Sequence, residues 1–457
     1  MAIQRREFLG IATMAVAAAS MAANERVKTE GMPMRGFVAK PFDKIRVGVI
    51  GIGGRGRSAV ARLCKVPGLQ VTAVCDLLAD RVRWGQNTVK RAGFPEPKGF
   101  VGPEGYKRLA DAGVCDVVHI NTSWVSHTEI ALRTLQGGLH TFMEVPGCRT
   151  VEQGWQLVEA SEKYRRHCSL LANCCYGDEE QMLINVARQK VLGELVHAEG
   201  CYLHNTRMPA PHWDQSFLSP TDMHTSLRAM IDHTGMQYPI HQFGPLAFAF
   251  NINHGDRLDH LVSMGNKPYA WQEVARKTYG ANAPVSKLKF ECNDFNTTIL
   301  STAQGKTVLL RQCNSIPMPY TREYKIYGFH GTFHANPLEV ALEKQFPRGA
   351  GQMGEEELKV FADKYRSTMW KVYADRAKMG GHGGMDYFMD FRWSYCLRKG
   401  LPLDVDVYDL ATWSSIFEVS ERSVRTGSQP QDLPDYTRGG WKTSKPVGDM
   451  SVPAGYV

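Results

Sequence analysis

Short apolar runs alternate with helix-spaced stretches over the first third of the chain, and beyond residue 195 the alternation changes. Residues 46–50 (RVGVI) read as a strand buried on both faces, and residues 57–65 as the helix after it. Residues 69–75, 116–121, 139–143 and 168–171 repeat the apolar-run signature, with helical spacing between them. Strands separated by helices predict a parallel, doubly wound sheet. Residues 195–202, 258–264, 295–302, 307–312 and 324–329 also read as strands. No helix-like spacing separates the last three, which predicts an open, mostly antiparallel sheet. Residues 355–378 are charged and helical in pattern. Residues 385–398 read as a helix stopped by Gly400, and residues 409–425 as one stopped by Gly427. The expected architecture is α/β. A doubly wound domain over residues 45–172 precedes an α+β domain over 173–440, with a linker or arm at 23–44 and a tail at 441–457.

Residues 1–22 stand apart. Arg5-Arg6-Glu7-Phe8-Leu9 precedes an apolar run over 10–21, and Ser20-Met21-Ala22 is a small-x-small cleavage pattern. A charged start, a short apolar core and a small-residue site predict a secretory signal. The adjacent arginines resemble the twin-arginine type, which implies export, to the periplasm in a two-membrane cell. An uncleaved membrane anchor is the other reading of this stretch. Beyond it, no apolar run reaches the ~20 residues of a membrane span.

Of the 457 residues, 43% are hydrophobic and 22% charged, which excludes a long disordered chain, a collagen-like repeat or a coiled coil. The net charge of +8 comes from 54 basic and 46 acidic residues scattered along the chain, so no nucleic-acid patch is expected. Eleven cysteines show no CxxC spacing, which favours buried free thiols over a disulfide framework or a zinc site. His204 and His212 are close in sequence but lack a partner pattern, so no metal is expected.

The chemistry begins at Gly51-Ile52-Gly53-Gly54-Arg55-Gly56, a GxGxxG run directly after a strand and opening a helix. Gly51 allows the tight turn, Gly53 lets a pyrophosphate approach the backbone, and Gly56 lets helix and strand pack closely. The helix N-terminus offers free N–H groups to phosphates. Asp76 ends the second strand, 20 residues after Gly56, where an acid can bind the two hydroxyls of an adenosine ribose. No arginine follows immediately to take a 2′-phosphate, so NAD is favoured over NADP. At the C-terminal ends of the later strands stand Thr122, Trp124 and His127, then Glu144-Val145-Pro146, then Asn173 and Tyr176. Trp124 can wall a cofactor or simply pack. His127 can begin a helix, and Glu144 can hold a sugar or ribose hydroxyl.

A nucleotide domain followed by an open sheet resembles the glucose–fructose oxidoreductase / inositol dehydrogenase / MocA superfamily. Dehydrogenases there carry Glu-Lys-Pro after the fourth strand, the lysine activating the substrate hydroxyl. Here Val145 stands in that place and can neither donate nor accept a proton. Within the superfamily the chain resembles glycoside hydrolase family 109, the NAD-dependent α-N-acetylgalactosaminidases, over about 400 residues. The stretches that carry this are 47–56, Glu144-Val145-Pro146, Asn173-Cys174-Cys175-Tyr176, 193–203 (GELVHAEGCYL), 238–245 (YPIHQFGP), 251–264 (NINHGDRLDHLVSM), 296–298, 319–322 (PYTR) and 381–386 (GHGGMD). Residues 401–408 and 434–439 continue it. The resemblance implies that Gly54, Arg55, Asp76, Trp124, Val125, Ser126, His127, Glu144, Val145 and Asn173 line NAD. It implies that Tyr202, Arg228, Tyr238, Pro239, Ile240, His241 and Tyr320 line the sugar, with Tyr238 also touching the cofactor. The chain departs from the family at Trp124-Val125-Ser126-His127, where Trp-Glu-Trp-His is usual, and at Gln312-Cys313-Asn314, where Gln-His-Asp is expected.

The reaction implied is redox-assisted elimination rather than two-carboxylate hydrolysis. Oxidation at sugar C3 acidifies the C2 proton, a base removes it, the C1 substituent leaves, water adds at C1, and C3 is reduced again. NAD is regenerated in each cycle. His241, from an ordinary pKa of about 6.5, is assigned to the 3-hydroxyl, and Tyr176 to the C2 proton. Tyr238, Tyr320 and Glu144 are candidates for positioning or leaving-group protonation, and His382 is either structural or in contact with the site. The competing reading is a sugar oxidoreductase with net hydride transfer. A non-catalytic sugar-binding protein is the third. The expected partner is a small-molecule or glycan substrate, and the open sheet edge leaves homo-oligomers available.

Overall fold

A computed structural model describes residues 31–205, 230–343 and 352–457. The export signal read in residues 1–22 and the sugar contact assigned to Arg228 lie outside the described residues. Among the described residues, no helix is long and apolar enough to cross a membrane.

The apolar runs of the first third form β1 (Ile45–Ile50), β2 (Leu69–Asp76), β3 (Lys98–Val101), β4 (Val117–Ile120), β5 (His140–Met143) and β6 (Cys168–Leu170). They pair in parallel in the order β3-β2-β1-β4-β5-β6. The connecting helices are α1 (Gly54–Leu63), α2 (Ala79–Arg91), α3 (Gly105–Asp111), α4 (His127–Gln136) and α5 (Val151–Tyr164). The strand order reverses between β1 and β4, so a crevice opens at their C-terminal ends. The sequence runs Gly51, Asn121, Glu144 and Asn173 all lie along this edge.

After α6 (Asp178–Arg188), the chain builds the second sheet: β7 (Leu195–Leu203), β8 (Leu258–Gly265), β9 (Phe295–Thr302), β10 (Thr307–Cys313), β11 (Tyr324–Gly328), β12 (Gly331–Ala335), β13 (Glu339–Leu342) and β14 (Gln431–Asp432). Their order is β13-β12-β11-β7-β10-β9-β8-β14. Only β7 and β10 pair in parallel, so the sheet is mixed and mostly antiparallel. The burial of β9 and β10 alternates, as a sheet with one covered face requires.

Helix α7 (Ile240–Ala249) crosses the covered face, and α8 (Ala270–Tyr279) packs on the 284–287 turn. The helical stretch expected at 355–378 is three pieces, α9 (Glu355–Tyr365), α10 (Thr368–Val372) and α11 (Ala374–Ala377). Ser367 interrupts the run by capping α10 with its own side chain. Helices α12 (Met385–Lys399) and α13 (Val407–Arg425) tie the two sheets together. Gly400 ends α12 in the left-handed conformation, and Asp406 caps α13. α12 is buried on nearly every side, because it runs between the 173–176 turn and the first domain. It therefore brings Asp386, Asp390 and Arg392 into the interior, each with a cationic or acidic partner. The segment before β1 packs rather than dangles: the Met34 N–H donates to the Tyr408 hydroxyl at 3.0 Å.

Candidate active site

The glycine turn after β1 is built as the pattern requires. Gly51 has φ +88°, where an added Cβ would meet the Asn121 carbonyl at 2.8 Å. A Cβ at Gly56 would lie 1.8 Å from the Gly51 carbonyl oxygen, so α1 can start here only without a side chain at 56. At Gly54, by contrast, a Cβ meets nothing within 4 Å, and no side chain caps α1. The N-terminal N–H groups of α1 thus face open space. Asp76 is buried at the end of β2. Its Oδ2 accepts from the Ile52 N–H at 2.6 Å, and its Oδ1 from the Leu78 N–H at 3.0 Å. Oδ1 of Asn121 and of Asn173, and Nδ1 of His241, are buried along this crevice without a protein partner. An open phosphate cradle, an acid at the β2 end and unsatisfied polar atoms beside them fit a dinucleotide.

Arg55 leaves the glycine turn to join the two domains. Its Nε donates to Glu144 Oε1 at 2.6 Å, and its two terminal nitrogens donate to Asp386 at 2.6 and 3.1 Å. Asn173 Nδ2 donates to the same Asp386 at 2.7 Å, and His382 Nδ1 lies 3.0 Å from it. Burial pushes the Asp386 carboxyl up, but hydrogen bonds from His382 and Arg55 and the Arg55 charge outweigh it and hold the group far below the usual carboxylate range. Arg62 and Asp390 form a fully buried pair one turn further in.

Facing this network, α7 and β7 supply an aromatic and imidazole cluster. Tyr238 stacks on Trp124 with centroids 5.8 Å apart, and Tyr202 lies 5.3 Å from both Tyr238 and His241. Tyr320 covers the rim beside Tyr202 and His204, and its hydroxyl accepts from Arg322 at 2.7 Å. Arg322 is anchored in turn by buried Glu180 at 2.8 Å. The Tyr238 hydroxyl and His241 Nε2 are 3.4 Å apart, and Tyr324 donates to the His241 carbonyl. Burial, then the Arg322 and Arg55 cations, drive the His241 imidazole well below its ordinary range, so it is neutral. Burial pushes the Tyr202 and Tyr238 hydroxyls up, so both stay protonated.

The structure thus brings together Gly51, Gly53, Gly54, Arg55, Gly56, Glu144 and Asn173 on one side, and Trp124, Tyr202, Tyr238, His241 and Tyr320 on the other. Val145 is buried, and Pro239 and Ile240 form the covered start of α7. Val125 is exposed beside Trp124, and Ser126 is bonded within its own turn. Both ring nitrogens of His127 face main-chain carbonyls, of Pro146 and Thr122, which makes it a brace for the Glu144-Val145-Pro146 segment.

Tyr176 departs from expectation. Its hydroxyl donates to Asp404 at 3.1 Å, in the interior beside the Arg392–Asp404 pair, and burial drives its pKa well above the ordinary value. The Asn173–Tyr176 turn sends Asn173 into the crevice and Tyr176 the other way, so the assignment of Tyr176 to the C2 proton is withdrawn. Asp386, Glu180 and Arg322 were missed from the sequence, because each is a charged residue whose partner is more than 140 positions away.

Residues 45–171 match the family model described as the oxidoreductase family, NAD-binding Rossmann fold, and residues 176–443 match that of the glycosyl hydrolase 109 C-terminal domain. The chain is 36% identical to an α-N-acetylgalactosaminidase of Bacteroides fragilis over 409 residues, 89% of this chain and 95% of that protein. It is 36% identical to a glycosyl hydrolase family 109 protein of Shewanella baltica, across 98% of each chain. Among solved structures, aldose–aldose oxidoreductase from Caulobacter crescentus shares the fold with a TM-score of 0.61 at 14% identity, covering 85% of this chain and 100% of that one. The two sheets, the glycine turn and the aromatic cluster across from it are therefore those of a glycoside hydrolase with an NAD-binding domain, and the chain belongs to glycoside hydrolase family 109.

Proposed function

We propose that the protein hydrolyses α-N-acetylgalactosaminides, with NAD retained through the whole turnover. The substrate class rests on the Bacteroides fragilis relative named for that activity. The observation that carries the reaction type is the His241 imidazole beside Tyr238 and Tyr202, across the crevice from the open glycine turn. The residue after Glu144 is a buried valine, which removes the proton-transfer group a plain dehydrogenase of this fold would use there.

Gly53, Gly54 and the α1 N-terminus would take the pyrophosphate, Asp76 the ribose hydroxyls, and Trp124, Glu144 and Asn173 the remainder of NAD. Bound there, NAD would supply reversible hydride exchange with sugar C3. His241 takes the proton of the 3-hydroxyl on a ring nitrogen, and the Tyr238 hydroxyl at 3.4 Å gives that proton an onward partner. Tyr202, Tyr238 and Tyr320 wall the sugar, and Arg322 fixes Tyr320 at the rim. Export through the twin-arginine route is part of the proposal, supported by Arg5-Arg6 ahead of the apolar run. Replacing both arginines by lysine should keep the protein in the cytoplasm.

The reading is tested with a panel of nitrophenyl glycosides and no added cofactor. Phenolate release from the α-N-acetylgalactosaminide without net NADH supports it. Stoichiometric NADH without sugar release would instead favour the sugar oxidoreductase.

A further inference from the structure

We propose that Asn121 is a positioning residue for the cofactor: its amide carbonyl accepts a hydrogen bond from the nicotinamide half of NAD, and His119 and Asp390 hold the amide in the orientation this needs. The inference rests on the NAD site described above and adds to it a residue that neither the glycine spacing nor the resemblance marks.

Asn121 is the first residue after β4, at the point where the strand order reverses. Its N–H continues the sheet by donating to the Ile50 carbonyl at 2.8 Å. The residue is wedged between the first and third glycines of the turn. A Cβ at Gly51 would meet the Asn121 carbonyl carbon and oxygen at 2.8 Å, and a Cβ at Gly56 would come within 3.4 Å of the Asn121 Cβ. The side chain therefore starts under the opening of α1, on the β4 side of the crevice, and the residue is buried.

The two ends of the amide have different fates. Nδ2 donates to His119 Nδ1 at 2.9 Å and to the His119 carbonyl at 3.1 Å, so both its hydrogens are used. Oδ1 is buried with no protein partner among the described residues. A flipped amide would set Oδ1 against the His119 carbonyl, two acceptors face to face. The ring adds a second lock. His119 is fully buried, and its Nε2 faces Asp390 Oδ1 at 3.7 Å. Asp390 accepts from Arg62 Nε at 2.6 Å and from the Trp393 indole N–H at 2.9 Å. An ionised carboxylate only accepts, so the His119 proton sits on Nε2, and Nδ1 keeps the lone pair that the Asn121 amide needs. Arg62, Asp390, His119 and Asn121 thus form one chain of interactions from α1 and α12 to the crevice, ending in an unpaired carbonyl. A buried acceptor left unpaired costs free energy, and a ligand that pairs it recovers that cost on binding.

What can pair with Oδ1 is restricted. It needs a donor, which excludes the phosphates. Asp76 at the end of β2 would take the adenosine ribose, and β1 stands between β2 and β4. On the β4 side the donors of NAD are the hydroxyls of the nicotinamide ribose and the carboxamide NH2. A neutral acceptor suits either, whereas a carboxylate there would repel the pyrophosphate.

The test uses the full chain freed of NAD and titrated by fluorescence with NAD and, separately, with ADP-ribose, which keeps the ribose and lacks the carboxamide. Asn121→Ala should weaken NAD binding by about 10- to 100-fold. An equal loss for ADP-ribose assigns the contact to a ribose hydroxyl, and a loss confined to NAD assigns it to the carboxamide. Asn121→Ser, which keeps a small polar group beside His119 and lacks the carbonyl, is the second variant and should also weaken NAD binding. His119→Leu should weaken it by a smaller factor, about 3- to 10-fold. In a chain that already carries Asn121→Ala it should add nothing, because it acts only through the amide. Thermal melts establish that each variant is folded. Unchanged NAD affinity in a folded Asn121 variant would overturn the assignment, and a full His119 effect in the Asn121→Ala background would overturn the orienting role of the ring. If the wild-type protein itself fails to bind NAD, the NAD site fails and not merely this contact.

Discussion

Replacing Arg55 by methionine tests the electrostatic hinge of the site. Arg55 has 26% of its side chain exposed, whereas Glu144 has 9% and Asp386 none. Methionine keeps most of the volume and removes the charge, leaving two buried carboxylates without their main cation. Breaking a buried pair in this way costs about 3–5 kcal/mol. Asn173 still donates to Asp386 and Arg62 remains 3.5 Å away, so a loss of about 2–4 kcal/mol is expected near neutral pH. The pH dependence carries the sharper information. In the wild-type protein the Asp386 carboxyl is held below its unfolded value of about 3.9, so its stabilisation is complete above that pH and fades only as acid drives the pH below it. Without Arg55, burial pushes the carboxyl upward and proton uptake begins at higher pH. The stability gap between wild type and variant should therefore be widest near neutrality and narrow on acidification. Urea unfolding of both proteins at about pH 7 and about pH 5 measures it. A gap under about 1 kcal/mol, or one unchanged between the two conditions, would refute the reasoning.

Three further outcomes follow from the geometry. Gly56→Ala puts a methyl group 1.8 Å from the Gly51 carbonyl oxygen, so the turn must shift, and NAD affinity should fall by about 10- to 100-fold in a fluorescence titration. Unchanged affinity would contradict the cradle described here. Tyr176→Phe removes only a hydrogen bond to Asp404, so it should cost about 1–2 kcal/mol of stability and leave kcat within about threefold. A kcat loss approaching ~100-fold would return Tyr176 to the chemistry. His254 is lowered by burial but raised more by Asp409 at 3.4 Å, to about 9, and neighbouring Asp406 is pushed up by burial and Asp409 to about 7. A raised histidine stabilises fully below its unfolded pKa of about 6.5, and the contribution is lost as pH rises through the folded value. Stability should therefore decline between about pH 7 and about pH 9, and His254→Gln should flatten that decline in thermal melts. An equally steep decline in the variant would remove His254 as its cause.

The parallel sheet was legible because β1, β2, β4, β5 and β6 are short runs buried on both faces, and the glycine spacing marks the turn between β1 and α1. The long strands of the second sheet were legible through alternation. Helix α7 was not, because it is buried on nearly all sides and contains Pro245, so it shows no clear amphipathic period. The two residues of β14 and the hairpin of β12 and β13 are too short to signal themselves. Within the site, the glycines, Asp76 and the tyrosine–histidine run of 238–241 could be read from spacing and resemblance. The direction of Tyr176 could not, because a one-turn 3-10 segment has no periodicity from which a facing can be read. The Arg55–Asp386 link could not either: it joins residues 331 positions apart and exists only because α12 is threaded between the domains.

The measurement that tests the account most directly is proton NMR of an aryl α-N-acetylgalactosaminide treated with the protein in D2O, without added cofactor. Oxidation at C3 followed by elimination predicts free sugar carrying deuterium at C2 and no net NADH. Free sugar with its C2 proton intact would contradict the account, because it would mean that the glycosidic bond is broken without the C2 carbanion that the proposed reaction requires.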